Sequence, residues 1–345
     1  MRLAALQTLL RAAPAMALAA ALAVCLGLSG CGGSSGGTAA DAASDAASTV
    51  ADAASDALDA AANAVTGTGA ESGTTSGSTF KATCAKTTFD ATKATGASGA
   101  LIDTSQAAQG YVGASATSSA RLKFQVACGD DTYNYDLAAD GTAQFFPLNM
   151  GDGTYTLSVL QNTNGNRYAT VYTTKVQVKL ASETAPYLHA NVYCSFTKKS
   201  VCARKAAELT AGAANAGDAL QAIYNYVVTN VTYDDAKAAD LAGGTGYVPD
   251  PDSTLASGTG ICFDYASLCA AMLRSVGIPC KIVTGYVGGQ DIYHAWNMVY
   301  IDGTWQAVHV NVAQNTWTVI DPTLASAGAS STVGDGSSYE DHHVY

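Results

Sequence analysis

Three glycines and a proline bracket the most constrained stretch of this 345-residue chain. Gly258 and Gly260 precede Cys262, a run free of glycine and proline extends from Cys262 to Val276, and Gly277-Ile278-Pro279 follows. A glycine just past such a run supplies the left-handed turn that ends a helix, and the proline beyond it cannot continue one. The reading is a helix opened by a thiol. First-turn N–H groups lack intrahelical acceptors and the helix dipole is positive there, so a thiolate on Cys262 should be stabilised and its pKa lowered. Downstream, His294 opens the strand-like Ala295 to Ile301, and Asp321 closes Trp317-Thr318-Val319-Ile320. Attack on an amide carbonyl needs a thiolate, a base that holds its proton and a group that orients the base. Cys262, His294 and Asp321 supply these in that order.

Several short motifs accompany them: Val231-Thr232-Tyr233-Asp234, Gly260 with Cys262, Asp264-Tyr265-Ala266, Met272-Leu273-Arg274, His294-Ala295-Trp296-Asn297, Ile301-Asp302-Gly303 with Trp305, and Asp321-Pro322-Thr323. Over residues 205–324 the chain thereby resembles the transglutaminase-like superfamily of papain-type cysteine enzymes. The resemblance implies an α+β core in which the cysteine begins a central helix packed on an antiparallel sheet. It also implies a thioester on Cys262, passed to an amine or to water. No cofactor is expected, and the lack of a Cys-x-x-Cys pair argues against a structural zinc site, while calcium dependence stays open. The oxyanion would be met by the Cys262 N–H and by a second donor upstream, with Tyr247 the candidate and Tyr233 beside it. One departure concerns the acid. Family members often carry it a few residues beyond the tryptophan of the second strand, where this chain has His309. Trp317 to Asp321 repeats the expected shape, so the acid is placed at Asp321. Asp302 reads as a hairpin-turn residue and Asp264 as a first-turn helix residue.

The N-terminus carries Arg2 and Arg11, no acid, and an apolar run from Met16 to Leu28. That describes an export signal over residues 1–30. Leu28-Ser29-Gly30-Cys31 resembles the bacterial lipobox, which implies lipid on Cys31 and a protein held at a membrane surface outside the cytoplasm. Residues 31–79 are Ala, Gly, Ser, Thr and Asp with little to bury, and read as a spacer. The formal charge of −11 divides into +2 before Cys31, −6 from there to Phe80 and −7 beyond. With no basic patch, nucleic acid is not an expected partner.

Between residues 80 and 182, alternating runs such as Leu122-Phe124-Val126 and Tyr155-Leu157-Val159 are separated by Asp140-Gly141, Asp152-Gly153 and Asn164-Gly165. The spacing predicts an immunoglobulin-like β sandwich. The catalytic domain is expected over residues 195–328, with helix over 206–230, a loop over 236–257, and strands 281–287, 295–301, 304–311 and 317–320 around an Asp302-Gly303 hairpin. An irregular tail is expected over 329–345. Outside the Cys262 helix and its following strand, Cys84, Cys128, Cys194 and Cys202 allow three pairings, of which Cys84–Cys128 and Cys194–Cys202 are favoured.

The expected function is a membrane-anchored thiol enzyme acting on protein or peptide amides. A cysteine protease or amidase of the same fold shares every residue named. A non-catalytic surface binding module is the alternative of another class. A redox or metal-binding thiol protein lacks paired cysteine spacing.

Overall fold

The computed structural model describes residues 80–242, 246–287, 293–311, 316–320 and 339–345. Ser76–Tyr345 is one compact unit, built around two hydrophobic cores. The first belongs to eight strands: β1 (Thr95–Ala97), β2 (Ala100–Asp103), β3 (Tyr111–Ala116), β4 (Leu122–Cys128), β5 (Asp131–Leu137), β6 (Gln144–Pro147), β7 (Gly153–Asn164) and β8 (Arg167–Val178). They form two four-stranded antiparallel sheets, β1-β2-β3-β6 and β5-β4-β7-β8. Period-two alternation drives this arrangement. In β4, Leu122, Phe124 and Val126 are buried while Lys123 and Gln125 are not, and both sheets contribute to the same core. Gly165, at φ +54°, makes the expected turn from β7 to β8.

The second core is α+β. Helices α1 (Val201–Leu209) and α2 (Ala216–Asn230) replace the single helical region expected over 206–230. The break falls between them because the Asn215 side chain accepts the Asp218 N–H and starts α2 afresh. The loop expected over 236–257 contains α3 (Asp235–Leu241) and α4 (Pro251–Ser257). Asp234 and Asp250 cap them by accepting the Lys237 and Ser253 N–H groups, and Pro251 occupies the first turn of α4. Short strands β9 (Thr232–Tyr233) and β10 (Thr259–Gly260) pair in parallel and set Tyr233 opposite Gly260.

Helix α5 (Cys262–Ser275) follows and is buried from Asp264 to Ser275. It ends as expected: Gly277 adopts φ +90°, its N–H bonds Arg274 O, and the Ile278 N–H bonds Leu273 O, the paired bonds of a left-handed helix stop. Strands β11 (Cys280–Val287), β12 (Tyr293–Ile301), β13 (Thr304–Asn311), β14 (Thr316–Ile320) and β15 (Tyr339–Val344) then form an antiparallel sheet ordered β14-β13-β12-β11-β15. Asp302 and Gly303, at φ +53° and +82°, make the β12–β13 hairpin. The last strand corrects the irregular tail, because Tyr339 to Val344 pair with β11.

Arg274 ties these parts together. Fully buried, its guanidinium donates at 2.8 Å to the backbone oxygens of Cys280, His189 and Tyr345. Neither expected disulfide is present, and all seven described cysteines are free thiols. Cys84 packs against the second core and Cys128 against the first, so they serve different cores. Cys194 and Cys202 are fully buried in the second core, where they act as small hydrophobes. The Cys202 N–H is held by Asp252 at 2.8 Å.

Candidate active site

Cys262 and His294 line the same small cavity, with Tyr265, Ala266, Ala295, Trp296, Asn297 and Val308. Its volume is about 10 Å³, room for roughly one water. The local sequence explains the meeting. The Gly258 turn, at φ +66°, sends the chain through β10 into the first residue of α5. On the other side, β12 starts one residue before His294, which stands opposite Gly285 of β11. Asn297 then fixes strand to helix. It is 1% exposed, and its Nδ2 donates to Ala266 O at 3.0 Å and Lys281 O at 3.1 Å. Its Oδ1 accepts the Tyr224 hydroxyl at 2.7 Å. One amide therefore joins α2, α5, β11 and β12.

The electrostatics differ from the expectation of a lowered thiol pKa. Burial pushes the Cys262 thiol up, the backbone N–H groups of Ala295 and Phe263 pull it back, and the Asp264 charge adds to the rise. The net direction is upward because desolvation of the charged form outweighs the first-turn N–H groups. Burial also lowers the His294 pKa. Both shifts favour the neutral forms, thiol and imidazole, over the charged pair. Proton transfer then belongs to the substrate-bound state.

Asp264 is fully buried beneath this site. Its Oδ2 accepts the Ile261 N–H at 2.9 Å and the Lys237 ammonium at 2.7 Å, and its Oδ1 accepts the Tyr247 hydroxyl. The hydroxyl put forward as a second oxyanion donor is thus engaged with Asp264 in this structure. Tyr233 lies near Cys262, whose charge, after burial, raises the tyrosine's pKa. Lys237 and the Asn297–Tyr224 link carry no signal in the sequence pattern. Lys237 sits on a short helix read as loop, and Tyr224 counts only as a core-facing residue until its partner is known.

Asp321 lies outside the described residues. Ile320, the end of β14, stands opposite Ala307, and Ala307 opposite Met298, four residues along β12 from His294 or about 13 Å. The described part of β14 ends that far along the sheet from His294. Asp302 is farther still, at the opposite end of β12.

Comparison with known proteins follows this geometry. Residues 203–311 match the model of the transglutaminase-like superfamily. This part of the chain is similar to a transglutaminase-like core. No curated protein matches the chain. Among solved structures, it is similar to a proposed cysteine protease from Cytophaga hutchinsonii, at 19% identity over 56% of this chain and 67% of that one, with a TM-score of 0.32. A proposed protease from Parabacteroides distasonis is 18% identical over 55% of this chain and 38% of that one, with a TM-score of 0.28. Red sea bream transglutaminase is 11% identical over 57% of this chain and 47% of its own, with a TM-score of 0.22. The chain spans about two thirds of the first of these and less than half of the others, and the likeness to the superfamily model is confined to residues 203–311.

Proposed function

We propose that this chain is a thiol enzyme acting on protein or peptide amides through a thioester on Cys262. The observation that carries the reading is the shared cavity of Cys262, at the start of α5, and His294, near the start of β12. In the first step the Cys262 sulfur bonds to the carbonyl carbon and its proton passes to His294. The C–N bond then breaks and the amine leaves with that proton. In the second step water or a primary amine attacks the thioester, His294 takes its proton, and the sulfur leaves and regains a proton. The Cys262 N–H, at the helix start, meets the oxyanion. Asp321 is the proposed orienting group for His294, on the sequence reading.

The chain's setting is part of the proposal. The signal over residues 1–30 and the lipobox ending at Cys31 support export and a lipid anchor outside the cytoplasm. The eight strands before residue 182 are taken as an immunoglobulin-like domain that spaces the enzyme or presents its substrate.

The test is incubation of the chain with a glutamine-containing protein and a labelled primary amine, followed by mass spectrometry, with Cys262→Ala as control. Amine incorporation lost in the variant is the transferase result. Deamidation or cleavage without incorporation, also lost in the variant, is the hydrolase result. The absence of any covalent change would overturn the enzyme reading in favour of a binding module.

A further inference from the structure

The site contains a buried negative charge for which the acyl-transfer steps have no use. Asp264 lies two residues after the nucleophile, in the first turn of α5, and its side chain is 0% exposed. Its carboxylate holds the Ile261 N–H, which fixes the backbone entering Cys262. A carboxylate is well suited to that bond at a helix start. It is poorly suited to a neighbour that must itself become an anion, and the Asp264 charge opposes ionisation of Cys262.

A lysine from another element meets that charge. Lys237, on α3 and 27 residues away in sequence, places its ammonium 2.7 Å from Asp264 Oδ2. Its Nζ also lies 4.7 Å from the centre of the Tyr247 ring, and Tyr247 donates its hydroxyl to Asp264 Oδ1. Among the described residues, Lys237 is the cation paired with this carboxylate; Tyr247 and Ile261 contribute neutral donors. Among the described residues, the titratable groups facing Cys262 include His294 from β12, Tyr233 from β9, and Asp264 and Tyr265 from α5.

We propose that Lys237 is a positioning residue for Cys262: by neutralising Asp264 it lets one carboxylate hold the nucleophile's backbone without barring the thiolate. The idea rests on Cys262 being the reactive thiol. The division of labour is physical. The carboxylate supplies the hydrogen-bond acceptor that the helix start needs, and the ammonium removes its net charge from the neighbourhood. Gly260 shows how closely this is packed, since a Cβ there would stand 2.7 Å from Asp264 Cβ.

The test reads the thiol directly and needs no substrate. In the full chain, the rate of Cys262 alkylation by iodoacetamide is followed against pH, with the modified cysteine identified by peptide mass mapping. An unpaired unit charge beside an ionising group at an effective dielectric constant of about 20 shifts its ionisation by about one to two pH units, and partial solvent exposure of Lys237 favours the lower figure. Lys237→Met should move the inflection up by about one pH unit at an unchanged plateau rate, and Lys237→Arg should restore it. Asp264→Asn should move it down, and the double variant Lys237→Met/Asp264→Asn should return near the parent.

A lysine with a purely structural role would lower the melting temperature without moving the inflection, and that result would overturn the proposal. Should Lys237→Met fail to fold, Asp264→Asn and the double variant decide the matter. Equal inflections in the parent, Asp264→Asn and the double variant would mean that the thiol does not feel this pair. Failure of the enzyme reading is seen separately, as a normal alkylation profile in a chain that turns over no amide.

Discussion

Replacing Asn297 by alanine removes a buried side chain that hydrogen-bonds the helix of Cys262 to the strand of His294. Three hydrogen bonds disappear, to Ala266 O, Lys281 O and the Tyr224 hydroxyl, each worth about 1 kcal/mol net. The Tyr224 hydroxyl, on a fully buried residue, is left to the Cys269 sulfur beside it, a weak acceptor. With that mismatch and the lost volume the expected cost is about 3–4 kcal/mol, a large share of a typical domain's stability. Tyr224→Phe should cost less, about 1–2 kcal/mol. The two changes should be coupled by about 1 kcal/mol or more, because each removes the partner of the other. Urea unfolding followed by tryptophan fluorescence measures all three variants. A cost below about 1 kcal/mol for Asn297→Ala, or strict additivity with Tyr224→Phe, would refute the view that this amide is the clasp of the site.

His189 is 7% exposed, and burial, aided by the Arg274 charge, lowers its pKa from 6.5 to about 4. Its folded value being depressed, the neutral ring's stabilisation holds above pH 6.5 and is lost as the pH falls towards 4; full loss amounts to about 3 kcal/mol. His189→Phe should flatten that part of a melting-temperature profile, and an unchanged acid slope would contradict it. Gly260→Ala forces a Cβ to within 2.7 Å of Asp264 Cβ, so chemical denaturation should show a loss of about 2 kcal/mol or more; a neutral result would mean that the turn yields freely. Asp321→Asn should slow turnover by orders of magnitude if it holds the histidine tautomer. Unchanged turnover would transfer that role to β13, the strand that carries His309.

The parts of this molecule readable from its sequence are those set by local rules. The helix from Cys262 was legible because Gly277 and Pro279 end it, and the β12–β13 hairpin because Asp302-Gly303 suits positive φ at both positions. Strands β4 and β7 showed themselves by alternation. Helices α3 and α4 escaped notice beside the Gly243-Gly244 pair, although Asp250-Pro251 is a cap followed by a first-turn proline. Non-local features left no trace. The Lys237–Asp264 pair spans 27 residues, and nothing periodic links its members. The acidity of Cys262 was misjudged for a related reason: the helix start was visible in the sequence, and the burial that outweighs it was not. The Cys84–Cys128 pairing failed because the two pack on different cores, which spacing alone does not reveal.

The most direct test of the central claim is to trap the acyl-enzyme. The full chain is mixed with a peptide p-nitrophenyl ester, quenched in acid and mapped by mass spectrometry. The account predicts an acyl group on Cys262, absent from Cys262→Ala and formed far more slowly in His294→Ala. Acylation of Cys84 or Cys128 in its place, or an equal yield from Cys262→Ala, would contradict it.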